Sequence, residues 1–235
     1  MGVFSLLCTL FVPLAGSLAV LLIDRNQGKA IRLTALAVSL VTFALSLLML
    51  VSFDASSSAM QFVVNTSWIA SIDAGFRVGV DGTSLLLVLL TTFVMPIALL
   101  TSFTSIKKQE KEYYMLLLLL QFGMTGVFMA LDTFLFYVFW EVILIPMYFI
   151  IGIWGGKDRV YAAVKFFLYT LVGSLLMLLA IIWLGFYGDA AGVGFTTDLM
   201  KLRMVAPAIG IEAQTWLFLA FALAFCIKVP LLPLH

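Results

Sequence analysis

Of 235 residues, 64% are hydrophobic, only 11% are charged, and the formal net charge is +1, whereas an average soluble domain is roughly 25% charged. Such a chain is a membrane protein by composition, and its near-neutral balance gives no hint of nucleic-acid binding. Cys8 and Cys226 lie in apolar runs and there is one histidine, so neither a disulfide, a metal site, a phosphate loop nor a nucleophile elbow is indicated.

A bilayer core of about 30 Å needs roughly 20 apolar residues per helix. By that measure the sequence predicts seven spans, near 3–23, 31–52, 82–104, 113–131, 134–153, 161–186 and 215–235. The first starts almost at Met1, with no basic residue ahead of it and no small-residue cleavage site behind. It reads as a retained helix and not a signal peptide. Segment 53–81 is polar enough to read as an outer loop, with Trp68 expected in the interfacial aromatic belt. The third span opens with Asp81-Gly82-Thr83-Ser84 and carries Pro96. The fourth and fifth form a tight hairpin split only by Leu131-Asp132-Thr133, where Asp132 is the expected N-cap of the fifth. Gly123, Gly126 and Ala130 are small residues suited to a packing face. Segment 187–214 reads as a second outer loop, because of its glycines from Gly188 to Gly194 and because Pro207 opposes a continuous helix. The last span ends at His235 inside an apolar run without a polar tail, which reads as a piece of a longer polytopic chain.

The loops alternate in charge. Arg25, Lys29 and Arg32 lie in one, Lys107, Lys108 and Lys111 in the next on that side, and Lys157 with Arg159 in the third. The opposite loops hold only Arg77, Lys201 and Arg203. The positive-inside rule makes the first set cytoplasmic and puts the N-terminus outside.

Two charges fall within apolar spans: Glu141 in the fifth and Lys228 in the seventh. Each costs about 2.5–3.5 kcal/mol at the centre of a helix, while a flanking Leu, Ile, Phe or Val returns only about 0.3–0.6 kcal/mol. Insertion tolerates them without favouring them, so proton transfer is the first candidate role. On the fifth span, 100° per residue puts Tyr137, Glu141 and Tyr148 within about 60° of arc. Pro146 removes a backbone donor and frees a carbonyl one turn earlier. Lys228 is followed by Pro230 and Pro233 and then His235, a pattern that predicts a helix broken near Lys228-Pro230 and open to a buried or wet site. Desolvation opposes the charged form of such a lysine and a nearby carboxylate supports it, a competition suited to a switch. Lys165 sits about a turn into the sixth span and can snorkel to the interface.

Several of these segments resemble one family. Gly79-Val80-Asp81-Gly82-Thr83-Ser84-Leu85, then Phe139-Trp140-Glu141 through Ile145-Pro146-Met147-Tyr148 to Gly152-Ile153-Trp154-Gly155-Gly156, resemble motifs of the antiporter-like subunits of respiratory complex I, in particular its chain M type. So do Tyr161 to Thr170 and the run Lys228-Val229-Pro230 to His235. The resemblance implies an all-α polytopic fold of about fourteen helices, of which residues 1–110 would be the three leading spans with loop 53–81. Residues 111–235 would be most of the first half-channel repeat. It further implies that Glu141 and Lys228 form the proton-transferring pair, with Tyr137, Tyr148, Pro146, Pro230, Lys165 and His235 in support. The chain itself would carry no cofactor. NADH, flavin, iron–sulfur clusters and quinone would sit on partner subunits of an H+-translocating NADH:quinone oxidoreductase, and this chain would lie in the membrane arm, in a bacterial inner membrane. The rival readings are an Mrp-type sodium/proton antiporter subunit and a membrane scaffold whose charges only lock helices together.

Overall fold

Asp81 marks the start of the first well-defined helix cap: its side chain accepts from the Ser84 amide at 2.7 Å while Ser84 Oγ accepts from the Asp81 amide at 2.9 Å. Such reciprocal capping satisfies two of the amides that a helix start leaves unpaired. The structure, a computed structural model, describes residues 2–233. Its elements in order are α1 (Gly2–Leu22), α2 (Gly28–Ser52), β1 (Gln61–Ile69), β2 (Ala74–Val80), α3 (Gly82–Ser105) and α4 (Glu110–Met129). They continue with α5 (Thr133–Val142), α6 (Leu144–Trp154), α7 (Arg159–Ala190), α8 (Leu199–Val205) and α9 (Ile211–Lys228). Among the described residues, seven helical stretches are long and apolar enough to cross a membrane, α5 and α6 together forming the fifth.

Helices α1, α2, α3 and α4 pack on one another, and α4 continues the bundle towards α5 and α6. One core gathers Leu6, Leu10, Met49, Val88 and Met129 with Val78 and Val80. A second gathers Val20, Ile31, Ala35, Leu99, Tyr114 and Leu118. In lipid the association of such helices rests on close packing and on interhelical hydrogen bonds. Both are present: Ser46 and Thr92 share a bond of 2.8 Å between α2 and α3, and Ser102 Oγ donates to the Tyr114 hydroxyl at 3.1 Å. Gly126 shows why a small residue is needed on α4, since a Cβ there would stand 2.3 Å from the Phe139 ring of α5. Further along, α7 packs against α6 and α9.

Segment 53–81, expected as a loop, instead carries an antiparallel hairpin in which Asn65 pairs with Arg77 and Thr66 with Phe76. The alternation that announces a strand is missing for a physical reason. Strand β2 is buried at Ala74, Gly75, Arg77, Val78, Gly79 and Val80, so both of its faces are covered, and a strand covered on both faces loses its period of two. Segment 187–214 is likewise not all loop. Helix α7 runs on to Ala190, and α8 is a short helix capped by Asp198, whose carboxylate accepts from the Met200 amide at 2.8 Å. Pro207 falls in a 3-10 turn between α8 and α9, as expected of a residue that cannot continue the ladder.

Candidate functional site

The fifth span is built around two chain features. At its start Asp132 accepts from the amides of Phe134 and Leu135 at 3.0 and 3.1 Å, which caps α5. Eleven positions on, the ladder is interrupted at Ile143, which keeps helical dihedrals. Pro146 has no N–H for the Val142 carbonyl, so the ladder cannot close there. Glu141 thus occupies the last turn of α5, directly before the break. Tyr137, one turn earlier on the same face, has its hydroxyl in hydrogen-bonding reach of both Glu141 and Ser174 on α7.

Lys228 is the last residue of α9. The helix ends where the prolines predict: residues 229–233 are not helical, and Cys226, whose carbonyl Pro230 cannot serve, accepts instead from the Leu231 amide at 3.0 Å. The lysine side chain reaches across to α5. Its Nζ donates to the Trp140 carbonyl at 2.6 Å and stands 3.9 Å from the centroid of the Trp140 ring. Glu141, the next residue, acts on that ammonium through space, with no ion pair within 4.0 Å between them among the described residues. Phe136 and Phe225 close the surroundings, with the Phe225 ring 5.3 Å from that of Trp140. The half-buried ammonium therefore has one carbonyl, one aromatic face and one nearby carboxylate. These three groups can each hold a cation, and the carboxylate can also exchange a proton.

Trp140 is the member of this group that residue patterns did not single out. A tryptophan on an apolar helix reads as packing, and a backbone acceptor leaves no mark in a sequence. Other expected residues lie apart. Tyr148 is beyond the break, its ring 5.5 Å from Phe167 of α7. Lys165 is exposed, with its ammonium 5.9 Å from the Tyr161 ring. Pro146 is buried in α6 and Pro230 is exposed just past α9. His235 lies outside the described residues.

A second charged group, also unforeseen, lies at the other end of α5. Arg77 on β2 is buried, and its Nη1 donates to Asp132 Oδ2 at 2.8 Å and to the Asp73 carbonyl at 2.7 Å. Its Nη2 donates to Asp73 Oδ1 at 2.7 Å, and its Nε lies 3.5 Å from Asp198 Oδ2. Thr197 Oγ1 and the Gly75 amide complete the shell of Asp132 Oδ2 at 2.8 and 3.0 Å. Lys201 Nζ and Thr196 Oγ1 donate to Asp73 Oδ2 at 2.8 and 2.6 Å. Burial works to raise the Asp73 pKa, but the bonds from Lys201, Thr196 and Arg77 outweigh it and hold the carboxyl at about 2. Burial likewise opposes the Arg77 charge, and its bond with Asp73 and the fields of the three carboxylates overcome that and raise the guanidinium above its ordinary value. One arginine thus ties the hairpin, the start of α5 and the start of α8 together.

Residues 130–235 match the family described as NADH:quinone oxidoreductase/Mrp antiporter, TM. NADH-ubiquinone oxidoreductase chain 4 of Arabidopsis thaliana is 41% identical over 233 residues, which is 99% of this chain and 46% of that relative. NADH-quinone oxidoreductase subunit M of Rhodobacter capsulatus is 42% identical over 240 residues, 96% of this chain and 45% of the relative. A chain in the structure of respiratory complex I from Thermus thermophilus with bound NADH superposes with a TM-score of 0.80 at 29% identity, covering 100% of this chain and 45% of that one. A chain of the Mrp complex from Dietzia sp. DQ12-45-1b superposes with a TM-score of 0.78 at 19% identity over 95% of this chain and 23% of its own, a likeness of fold alone. The chain spans about half the length of the curated relatives it matches.

Proposed function

We propose, from the match of residues 130–235 to the family described as NADH:quinone oxidoreductase/Mrp antiporter, TM, that the chain is part of a proton-translocating membrane-arm subunit of an NADH-quinone oxidoreductase. In this reading Glu141 and Lys228 pass a proton between them in a half-channel. NADH oxidation and quinone reduction take place on partner subunits that hold the flavin, the iron–sulfur clusters and the quinone. The loops carrying Arg25, Lys29, Arg32, Lys107, Lys108 and Lys111 face the cytoplasm of a bacterial inner membrane, and the N-terminus faces outward.

The observation that carries the reading is the Lys228 ammonium, held 2.6 Å from the Trp140 carbonyl and within electrostatic reach of Glu141. Nothing in helix insertion favours an ammonium and a carboxylate at that depth. Substitution of Glu141 by Gln in the intact protein tests it, since Gln keeps the size and most of the hydrogen-bonding capacity but cannot ionise. Assembly stays near normal and proton pumping falls strongly. Lys228→Met gives a similar loss, and the double variant is no worse than the more severe single one, as expected of residues that act as a unit. The readout is redox-driven acidification of inside-out vesicles, normalised to assembled complex. Full pumping by Glu141→Gln at normal assembly leaves the carboxylate a structural role and ends the proposal. The fold shared with the Mrp complex supports a second reading, a sodium/proton antiporter subunit. Co-purification separates the two, because one assembly brings redox subunits and the other does not.

A further inference from the structure

A polar cleft of about 580 Å³ lies between the turn that joins α1 to α2 and the turn that joins α3 to α4. Five cations line it, Arg25, Lys29, Arg32, Lys107 and Lys111, against two carboxylates, Glu110 and Glu112. Both carboxylates are already engaged. Arg25 Nη2 meets Glu112 Oε1 at 2.7 Å, and Arg32 Nε faces Glu110 Oε2 at 3.1 Å, an ion pair without hydrogen-bond alignment. Lys107 Nζ donates to the Phe103 carbonyl at 3.2 Å and so sits at the end of α3. Lys29 and Lys111 form no ion pair among the described residues, and both line the cavity. The cleft therefore holds a surplus of positive charge that no ion pair among the described residues neutralises. Helices α2 and α4 both begin in its wall without a side-chain cap, which adds to the positive potential there.

The surroundings narrow the ligand. The cleft opens where the apolar spans end, and α2 and α3 beside it expose Leu33, Leu40, Ile97 and Leu100, each about half accessible. A group that is anionic at its head and apolar in its tail meets both surfaces at once. Basic pockets between membrane helices suit such headgroups, each basic residue near the surface adding about 1 kcal/mol of attraction in anionic lipid, screened by salt. We propose that this cleft binds the phosphate headgroup of an anionic phospholipid, with Lys29 and Lys111 as its direct partners and the acyl chains laid along α2 and α3. The inference rests on nothing in the proton-transfer reading, and either can fail without the other.

The test uses the full-length protein in mixed phosphatidylcholine–phosphatidylglycerol vesicles, with a photoactivatable headgroup on one lipid or the other. The expected result is cross-linked peptides from 24–33 and 105–112 with labelled phosphatidylglycerol and few with labelled phosphatidylcholine. Lys29→Ala combined with Lys111→Ala lowers the anionic cross-link yield at limiting lipid about tenfold or more, from the usual contribution of two basic residues beside an anionic headgroup. Lys157→Ala, in a different loop, leaves it unchanged. Both lysines lie outside the ion pairs that hold the cleft, so the double variant keeps its fold, which circular dichroism of the same samples verifies. Equal labelling by the two lipids, or full yield from the double variant, overturns the proposal. Displacement of the lipid by millimolar inorganic phosphate identifies a free-phosphate site and overturns the lipid assignment as well.

Discussion

Replacing Arg77 by Gln tests whether the charged group around it is a lock or an ornament of the surface. The side chain of Arg77 is 9% accessible and that of Asp132 is 0% accessible. Breaking a buried ion pair from one side costs about 3–5 kcal/mol, because the remaining charge is left without compensation. Asp132 is not left bare, however: the amides of Gly75, Phe134 and Leu135 and the Thr197 hydroxyl still donate to it. Asp73 similarly keeps Lys201 and Thr196. The loss therefore belongs near the lower end, about 3 kcal/mol. For a chain of this length that is about 6–12 °C in melting midpoint. Lys201→Gln is the contrast, because its side chain is 43% accessible and its pair with Asp73 counts as a surface one, so the loss is under about 1 kcal/mol. Both variants are read by thermal unfolding in detergent with a thiol-reactive dye that reports Cys8 and Cys226, free thiols set in α1 and α9. An Arg77→Gln midpoint within about 2 °C of the parent, or one no lower than that of Lys201→Gln, refutes the lock.

Trp140→Leu removes the aromatic face under Lys228 and leaves the carbonyl acceptor. At about 0.5–2 kcal/mol for a cation over a ring, the proposed proton-transfer reading has it lower pumping by about twofold to thirtyfold in vesicles at normal assembly, with Trp140→Phe restoring part of the loss. Equal losses from Leu and Phe would show that indole bulk matters and not the ring face. Acid should loosen the Arg77 group in a defined direction. The Asp73 carboxyl is held at about 2 in the fold against about 3.9 unfolded, so its contribution is complete above the unfolded value and is lost as pH falls towards 2. Asp73→Asn flattens that acid limb of the melting-temperature profile, and an unchanged limb would assign it to other carboxylates.

The residues that announced themselves did so through local chemistry. The seven spans follow from apolar length, and Asp132 is legible as a cap from its place before an apolar run. The break in the fifth span follows from Pro146, and the end of α9 from Pro230 and Pro233. Arg77 was illegible for the opposite reason. Its partner Asp132 lies 55 residues away, and Thr196 and Lys201 meet Asp73 across 123 and 128 residues, so no window of sequence contains the group. Arg77 counted there as one of a few outer cations. The hairpin hid because its second strand is covered on both faces and its first is largely exposed, and neither shows the alternation of a half-buried strand. At the other site the cost of a buried ammonium pointed to Lys228, but not to its acceptor, since a main-chain carbonyl belongs equally to every residue.

The way Lys228 is held bears on the choice between transfer and scaffolding. A scaffold charge gains most from direct contact with its counter-charge, and a direct pair at this depth resists reversal because each ion left alone pays its full desolvation. The Arg77 group is built in that way, with Arg77 touching both Asp73 and Asp132 at 2.7 and 2.8 Å. Lys228 is held differently. Its close partners are a carbonyl and an aromatic face, both neutral, while Glu141 acts from beyond ion-pair distance. Neutral acceptors keep the ammonium in place without a direct pair to the carboxylate. Helix α5 carries both groups. Its start is fixed by Asp132 in the Arg77 group, and its hydrogen-bond ladder is interrupted near Ile143, where Pro146 cannot donate, so Trp140 and Glu141 sit between a capped start and a gap in the ladder. The two charged groups along α5 are thus built differently, one from direct ion pairs and the other from a carbonyl and a ring face.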